Sequence, residues 1–156
     1  MTWTTHQVMA VMASFALGQP LLATGAAWMG SVLPDVVDQK RAAFSFFRQS
    51  KFNKIHRRSS HWFGWWLILW LFSQTGTLGP LPDAIVGGLA LGAFTHCLLD
   101  MCTSHGVPLM PFADKRFSLK ICSTGGFVEY TILVLSIALF WMTERHSLDL
   151  WTIPLY

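Results

Sequence analysis

The sequence predicts an all-α integral membrane protein folded as one domain over residues 1–156. Only 12% of the 156 residues are charged, against about 25% in a soluble domain. The hydrophobic share is 53%, with a mean hydropathy of +0.44. Long stretches carry at most one charge, namely 7–33, 62–82, 84–99 and 121–143. A spanning helix needs about 20 mostly apolar residues, so we predict three spanning helices plus an N-terminal re-entrant helical hairpin, or else four spanning helices.

The first hydrophobic unit, 7–33, is too long for one straight crossing. As a continuous helix it would reach about 40 Å, against a hydrocarbon core of about 30 Å. Gly18-Gln19-Pro20 interrupts it, and proline breaks a helix by removing a backbone donor. Two geometries stay open, a re-entrant hairpin or one long tilted and kinked helix. The hairpin places His6 within about 10 Å of Asp35, whereas a straight helix separates them by about 43 Å.

Three further hydrophobic units follow along the chain. The unit 62–81 opens with aromatic residues typical of a membrane interface, Trp62, Trp65 and Trp66. The unit 84–101 carries small residues suited to close helix packing, Gly87, Gly88, Ala90, Gly92 and Ala93. The last unit is 127–142. We expect these three units to be the spanning helices.

The basic residues predict the orientation. Ten of the eleven Lys and Arg lie in two loops, 34–61 and 102–126. Short basic loops stay in the cytoplasm, so we expect both loops inside and the link 76–83 and the tail from Glu144 outside. The chain is thus expected to be a multi-pass protein of a bacterial inner membrane. Membrane lipid is the expected partner, no specific nucleic acid is expected, and association into a homo-oligomer stays open.

Ionisable residues gather at the predicted cytoplasmic face. Asp35 and Asp38 end the first unit, and His96 and Asp100, four apart and so on one helix face, end the third. The remaining members are His56 and His61, which flank Arg57 and Arg58, and Glu129 at the start of the fourth unit. Ionisable groups in or beside membrane helices are expensive and mark function.

Imidazoles and carboxylates together favour a divalent metal, zinc first and manganese second, with two or more ions within reach of this set. Each motif alone is typical of helix packing or capping, but their convergence favours a metal site. His6 joins the site only if the hairpin forms, His105 stays open, and His146 is expected outside. The chain has an odd number of cysteines, and we interpret all three as reduced thiols, Cys97, Cys102 and Cys122.

Three runs carry a resemblance to a known family. They are Leu33-Pro-Asp-Val-Val-Asp38, His56-Arg-Arg-Ser-Ser-His61 and Gly92-Ala-Phe-Thr-His-Cys-Leu-Leu-Asp-Met-Cys-Thr-Ser-His-Gly-Val-Pro-Leu-Met-Pro111. Together they resemble the YdjM family, bacterial inner-membrane proteins described as LexA-regulated, metal-dependent hydrolases. That family is remotely similar to zinc phospholipase C and related nucleases. The resemblance implies a site of His6, Asp35, His56, His61, His96, Asp100 and Glu129. The family's two aspartates are two apart, whereas Asp35 and Asp38 are three apart.

The expected function is a membrane-bound metal-dependent hydrolase of phosphoester bonds in a lipid or lipid-linked substrate. Arg57 and Arg58 would bind the phosphate, unless they only anchor the loop, and Asp100 or Glu129 would act as base or ligand. One alternative is a non-catalytic membrane protein with a structural metal and a membrane-protein partner. A metal transporter is less favoured because the outer half of the chain lacks ligands.

Overall fold

The computed structural model describes residues 1–43, 59–111 and 115–148, and the side chains of all of these except 41–43 and 145–148. The described residues are mostly helical. The helices are α1 (Trp3–Ala16), α2 (Leu21–Gly30), α3 (Leu33–Ala43), a 3-10 turn (Ser59–His61), α4 (Phe63–Ser73), α5 (Pro80–Met101) and α6 (Phe127–Leu148). A two-stranded antiparallel ribbon, β1 (Val107–Pro108) and β2 (Arg116–Phe117), lies between α5 and α6.

The first hydrophobic unit forms a helical hairpin. Helix α1 ends at Ala16, Gly18 takes a positive φ of 64°, and α2 begins directly after Pro20. Gly18 adopts this left-handed conformation at no steric penalty, and the proline starts the returning helix. The two arms pack against each other, and Ser14 and Thr24 hydrogen-bond across them at 2.9 Å. The predicted break is confirmed, and one continuous helix is wrong.

Small residues set the packing of α2 against α5. A side-chain carbon added at Gly88 or Gly92 would overlap the carbonyl oxygen of Ala23 or Ala27, and one added at Gly30 would overlap the backbone of Leu89. Such contact between backbones requires glycine on the facing helix. The predicted small-residue face of α5 therefore lies against α2, with α1 and α4 packed beside it.

Among the described residues, two helices are long and apolar enough to cross a membrane, Pro80–Met101 and Phe127–Glu144. Helix α4 is apolar but has 11 residues, about 17 Å, because turn residues follow Ser73. The predicted unit 62–81 is therefore only partly helical, and α5 starts at Pro80 rather than 84. The number of crossings, and hence the choice between three and four, stays a prediction.

One end of the bundle collects the start of α1, the junction of α2 with α3, the 3-10 turn, the end of α5 and the start of α6. Side chains or backbone from all these segments touch each other there. The other end holds the hairpin tip and the link before α5. The fold therefore brings together segments that the sequence places far apart.

Candidate metal centre

His96 occupies the middle of the site. It lies in the last two turns of α5 and is fully buried. Its Nδ1 donates a hydrogen bond to the Ser31 carbonyl oxygen, 2.5 Å away, where α2 ends. This contact fixes the ring and turns Nε2 toward Asp35 Oδ1, at 3.8 Å, and Asp100 Oδ2, at 3.6 Å. A metal-binding histidine is typically held in this way through its second nitrogen.

His6 reaches the same place from α1. Its ring stacks on that of His96 with centroids 3.8 Å apart and an interplanar angle of 18°. Its Nε2 lies 3.4 Å from Asp100 Oδ1. His6 can reach His96 because the hairpin brings the end of α2 back beside the start of α1.

His61 enters from the 3-10 turn. Its Nε2 lies 3.3 Å from Asp35 Oδ1 and 3.8 Å from Asp100 Oδ2. Its Nδ1 faces Asp38 Oδ2 at 3.4 Å on the opposite side of the ring. The Ser60 hydroxyl donates to Asp38 at 2.6 Å. Asp38, predicted as a ligand, therefore lies behind His61 and orients that ring.

These side chains form two groups that could hold a metal. One is His6, His96 and Asp100, the other is Asp35, His61 and His96, and the ligand atoms within each lie within 4.8 Å of one another. The nitrogen–oxygen separations of 3.3 to 3.8 Å resemble the edge of a zinc tetrahedron, about 3.4 Å for bonds of about 2.1 Å. His96 belongs to both groups, so the two ligand sets are contiguous.

The donor set fits a divalent cation. Within the described residues the buried Nε2 of His96 makes no hydrogen bond, although buried polar atoms are usually satisfied. Three aspartates, Asp35, Asp38 and Asp100, lie at the cluster, and Asp38 and Asp100 are fully buried. The Met1 amino group pairs with Asp100 Oδ1 at 2.7 Å, and a bound cation would offset the remaining negative charge and use the free imidazole nitrogen.

Neighbouring side chains shift the pKa of two site residues outside the spanning helices, Asp35 and His61. Burial favours the neutral form of Asp35, but contact with His61 and the charge of His96 outweigh it and hold the pKa of Asp35 at about 2. Burial likewise opposes protonation of His61, yet contacts with Asp35 and Asp38 raise the pKa of His61 above 6.5. Since ligands bind metal when deprotonated, metal binding at His61 would displace a proton.

Glu129, predicted as a catalytic residue, lies beside the cluster and outside both ligand groups. Its Oε1 accepts hydrogen bonds from the Thr2 backbone at 2.7 Å, the Thr2 hydroxyl at 2.8 Å and the Thr5 hydroxyl at 2.6 Å. Its Oε2 accepts one from the Gly125 backbone at 2.8 Å. With four donors, the carboxylate ties the start of α1 to the start of α6. One of these donors, Thr5, directly precedes His6 in α1.

Comparison with known proteins supports the membrane class. A family model described as YdjM inner membrane protein matches residues 1–156, the whole chain. The chain belongs to the YdjM family. Neither the curated proteins nor the solved structures gave a match. The match confirms the resemblance drawn from the sequence runs, and the two apolar helices agree with an inner-membrane protein.

Several contacts in this YdjM-family site had no signal in the sequence. The amino group of Met1 donates to Asp100 Oδ1 at 2.7 Å, and the Trp3 indole donates to Asp35 Oδ2 at 3.0 Å. The Trp66 indole donates to the Ser60 carbonyl oxygen at 2.8 Å, beside His61. The sequence indicated Trp66 as an interfacial residue, but its indole also contacts the backbone next to His61, and Trp3, which was not singled out from the sequence, contacts Asp35.

The other predicted residues of the YdjM-family site either lie apart from the cluster or fall outside the residues that the structure describes. His105, left open above, is exposed in the loop after α5 and belongs to neither ligand group. His56, Arg57 and Arg58 lie outside the described residues, so their roles stay predictions.

Proposed function

We propose that this YdjM-family chain is a membrane-bound, metal-dependent hydrolase of phosphoester bonds, acting on a lipid or lipid-linked phosphate at the cytoplasmic face. The observation that carries the proposal is the pair of contiguous ligand groups that share His96. Adjacent divalent ions are typical of enzymes that hydrolyse phosphoesters. Zinc is the metal best matched to imidazole and carboxylate donors, with manganese as a second choice.

The two ligand groups suggest which residues would hold each ion. His6 and Asp100 would bind one ion and Asp35 and His61 the other, with His96 available to either. The two oxygens of Asp100 face different histidines, Oδ1 toward His6 and Oδ2 toward His61 and His96. Asp100 would therefore help to hold metal at either group, and its Oδ1 also contacts the Met1 amino group at 2.7 Å. Bound ions would act as Lewis acids, which polarise a phosphoryl oxygen and lower the pKa of an attacking water.

The position of the cluster favours a membrane substrate. The site lies at the end of α5 and the start of α6, the two helices able to span the bilayer. The site would thus lie at the depth of lipid head groups. The basic residues of the two loops support a cytoplasmic orientation, and Arg57 and Arg58 would bind the phosphate.

Metal counting and a product assay together test the proposal. Purified protein should contain at least one zinc or manganese ion per chain by elemental analysis. Phosphatidic acid in phosphatidylethanolamine vesicles should release inorganic phosphate, and cardiolipin or phosphatidylglycerol should release a phosphomonoester. His96→Ala should lose both metal and product. Bound metal with no hydrolysis of any of these lipids would instead favour a structural metal and a membrane-protein partner.

A further inference from the structure

A groove of about 340 Å³ runs between α1 and α6. On α1 it is lined by Met9, Ala13 and Ala16, and on α6 by Ser136, Phe140 and Thr143. Its lining is mostly apolar. The volume is at the small end of ligand pockets, about 300 to 1,000 Å³, so it suits one hydrocarbon chain rather than a whole lipid.

The groove continues the two helix faces that carry site residues. On α1, Met9, Ala13 and Ala16 follow His6 at spacings of three, seven and ten, which is one face of an α-helix. On α6, Ser136 and Phe140 follow Glu129 at seven and eleven, again one face. Near the candidate metal centre, the two helices are joined by the hydrogen bond from the Thr5 hydroxyl to Glu129.

Two contacts mark the ends of the groove. Near the site, the Thr5 hydroxyl donates to Glu129 at 2.6 Å. Away from it, the rings of Phe15 and Phe140 lie with centroids 6.5 Å apart. From Met9 to Ala16 the groove extends about 10 Å along α1. Only 11% of the spanning window of α6 is buried within the protein, so in a membrane the groove is open to lipid.

We infer that this groove binds one acyl chain of an amphiphilic phosphoester whose head group reaches the His6–His96–Asp100 group. The inference rests on the proposed function for the identity of the head group. Acyl chains are the apolar ligands that the surrounding bilayer supplies, and the groove lies on the same helix faces as His6 and Glu129. The groove would therefore select a membrane lipid over a water-soluble phosphoester.

Photolabelling tests the inference. The probe is a phosphatidic acid with a diazirine in the middle of one acyl chain, at low mole fraction in phosphatidylethanolamine vesicles containing the zinc-loaded protein. After illumination, peptide mass spectrometry should find labels in 9–16 and 136–143 at least five-fold above those at the outward face of α6, around Val134 and Leu135. Equal labelling of all exposed residues would show bulk lipid contact only and would overturn the inference.

Matched variants separate the groove from the helix surface. Ala13→Trp fills the groove and should reduce groove labelling at least five-fold, whereas Leu135→Trp on the outward face should leave it unchanged. Unaltered zinc content of both variants checks that they fold. Should Ala13→Trp misfold, Ala16→Trp serves the same purpose. Undiminished groove labelling in a folded, groove-filled variant would contradict the inference.

Two further comparisons connect the groove to the site. A probe with the same acyl chain and a neutral diacylglycerol head should label the groove several-fold less, and zinc removal should reduce labelling by the phosphatidic acid probe. Identical labelling by both probes, or crosslinking of two protein copies through the groove, would overturn the inference. Phosphate release measured in the same samples tests the hydrolase separately, because groove labelling without hydrolysis would reject only the proposed function.

Discussion

The imidazole ring of His6 stacks on that of His96, with ring centroids 3.8 Å apart. One ring comes from the first turns of α1 and the other from the last turns of α5. The stack requires α1 to begin where α5 ends, and the hairpin at Gly18 makes this possible. It also brings His6 Nε2 to within 3.4 Å of Asp100. Each prediction below tests a contact that maintains this arrangement, or the membrane orientation that places it.

Replacing the shared histidine should remove metal. His96→Ala should lower bound zinc to near zero in elemental analysis, because His96 belongs to both ligand groups. Asp100→Ala should lower it strongly, since Asp100 faces the three histidines. His105→Ala is the matched control, because His105 is exposed and belongs to neither group. Equal zinc content in the three variants would show that the site is wrongly assigned.

Asp38 and Asp35 should differ in their effects on metal affinity. Asp38 contacts the Nδ1 side of His61, so Asp38→Asn should weaken zinc binding about 10- to 100-fold, as expected for a residue that orients a ligand. Asp35 faces Nε2 and belongs to a ligand group, so Asp35→Asn should weaken it further. Competition with a zinc chelator measures both. If Asp38→Asn weakened zinc binding more than Asp35→Asn did, Asp38 would be the ligand and Asp35 the residue that orients His61.

Loss of Glu129 should release the N-terminal segment. Glu129→Ala leaves the Thr2, Thr5 and Gly125 donors without their acceptor. Of these donors the Thr5 residue is buried, and an unsatisfied buried group costs about 1–3 kcal/mol, so we expect a loss of about that size and weaker zinc binding through displacement of His6.

Thermal unfolding in detergent and chelator competition provide the two measurements for Glu129→Ala. Tyr130→Phe is the neighbouring control, since Tyr130 is half-exposed and its change should alter neither quantity. Unchanged stability and unchanged zinc affinity in Glu129→Ala would contradict the positioning role.

The glycines of the hairpin and of α5 should respond unequally to substitution. Gly92→Leu should separate α2 from α5 and withdraw the Ser31 carbonyl oxygen from His96, because a side chain there overlaps the Ala27 backbone. The expected result is a lower melting temperature and loss of zinc.

Gly25→Ala, in the facing helix α2, is the control for Gly92→Leu in α5. Nothing lies within 4 Å of a side-chain carbon added at Gly25, and alanine favours a helix over glycine by about 0.5–1 kcal/mol. It should therefore be neutral or stabilising. Equal destabilisation by both changes would be inconsistent with the close backbone packing.

Cysteine labelling tests the orientation. In a background with the three native cysteines replaced by alanine, Leu78→Cys in the link before α5 should react with an impermeant maleimide in cells whose outer membrane is permeabilised. Leu119→Cys in the basic loop should react only after lysis. Both side chains are exposed, at 44% and 50%, so accessibility to reagent is matched. The reverse pattern would place the site at the periplasmic face.

The sequence alone determined the class of the protein and the end at which its chemistry gathers. Charge-free stretches and the family runs predicted a helical inner-membrane protein, and the break at Gly18-Gln19-Pro20 predicted the fold-back that the structure contains. These features are local, since hydrophobicity, helix breaking and basic loops depend on residues close together in the chain. Asp35, His61, His96 and Asp100 were identified as candidates because they are ionisable residues beside hydrophobic units, whereas His6 depended on the predicted hairpin and on the family resemblance.

Only the tertiary structure distinguished the candidates that belong to the ligand groups from those that contact the ligands from behind or beside the cluster. Asp38 lies on the far side of His61, and Glu129 accepts four hydrogen bonds from the start of α1 and the Gly125 backbone. The packing of α1, α3, α5 and α6 determines which atoms of each side chain contact which neighbour. That packing depends on close backbone contacts such as the one between Gly92 and Ala27. A carboxylate that could bind a metal and one that orients its neighbour look alike in sequence, because only the positions of their oxygens distinguish them.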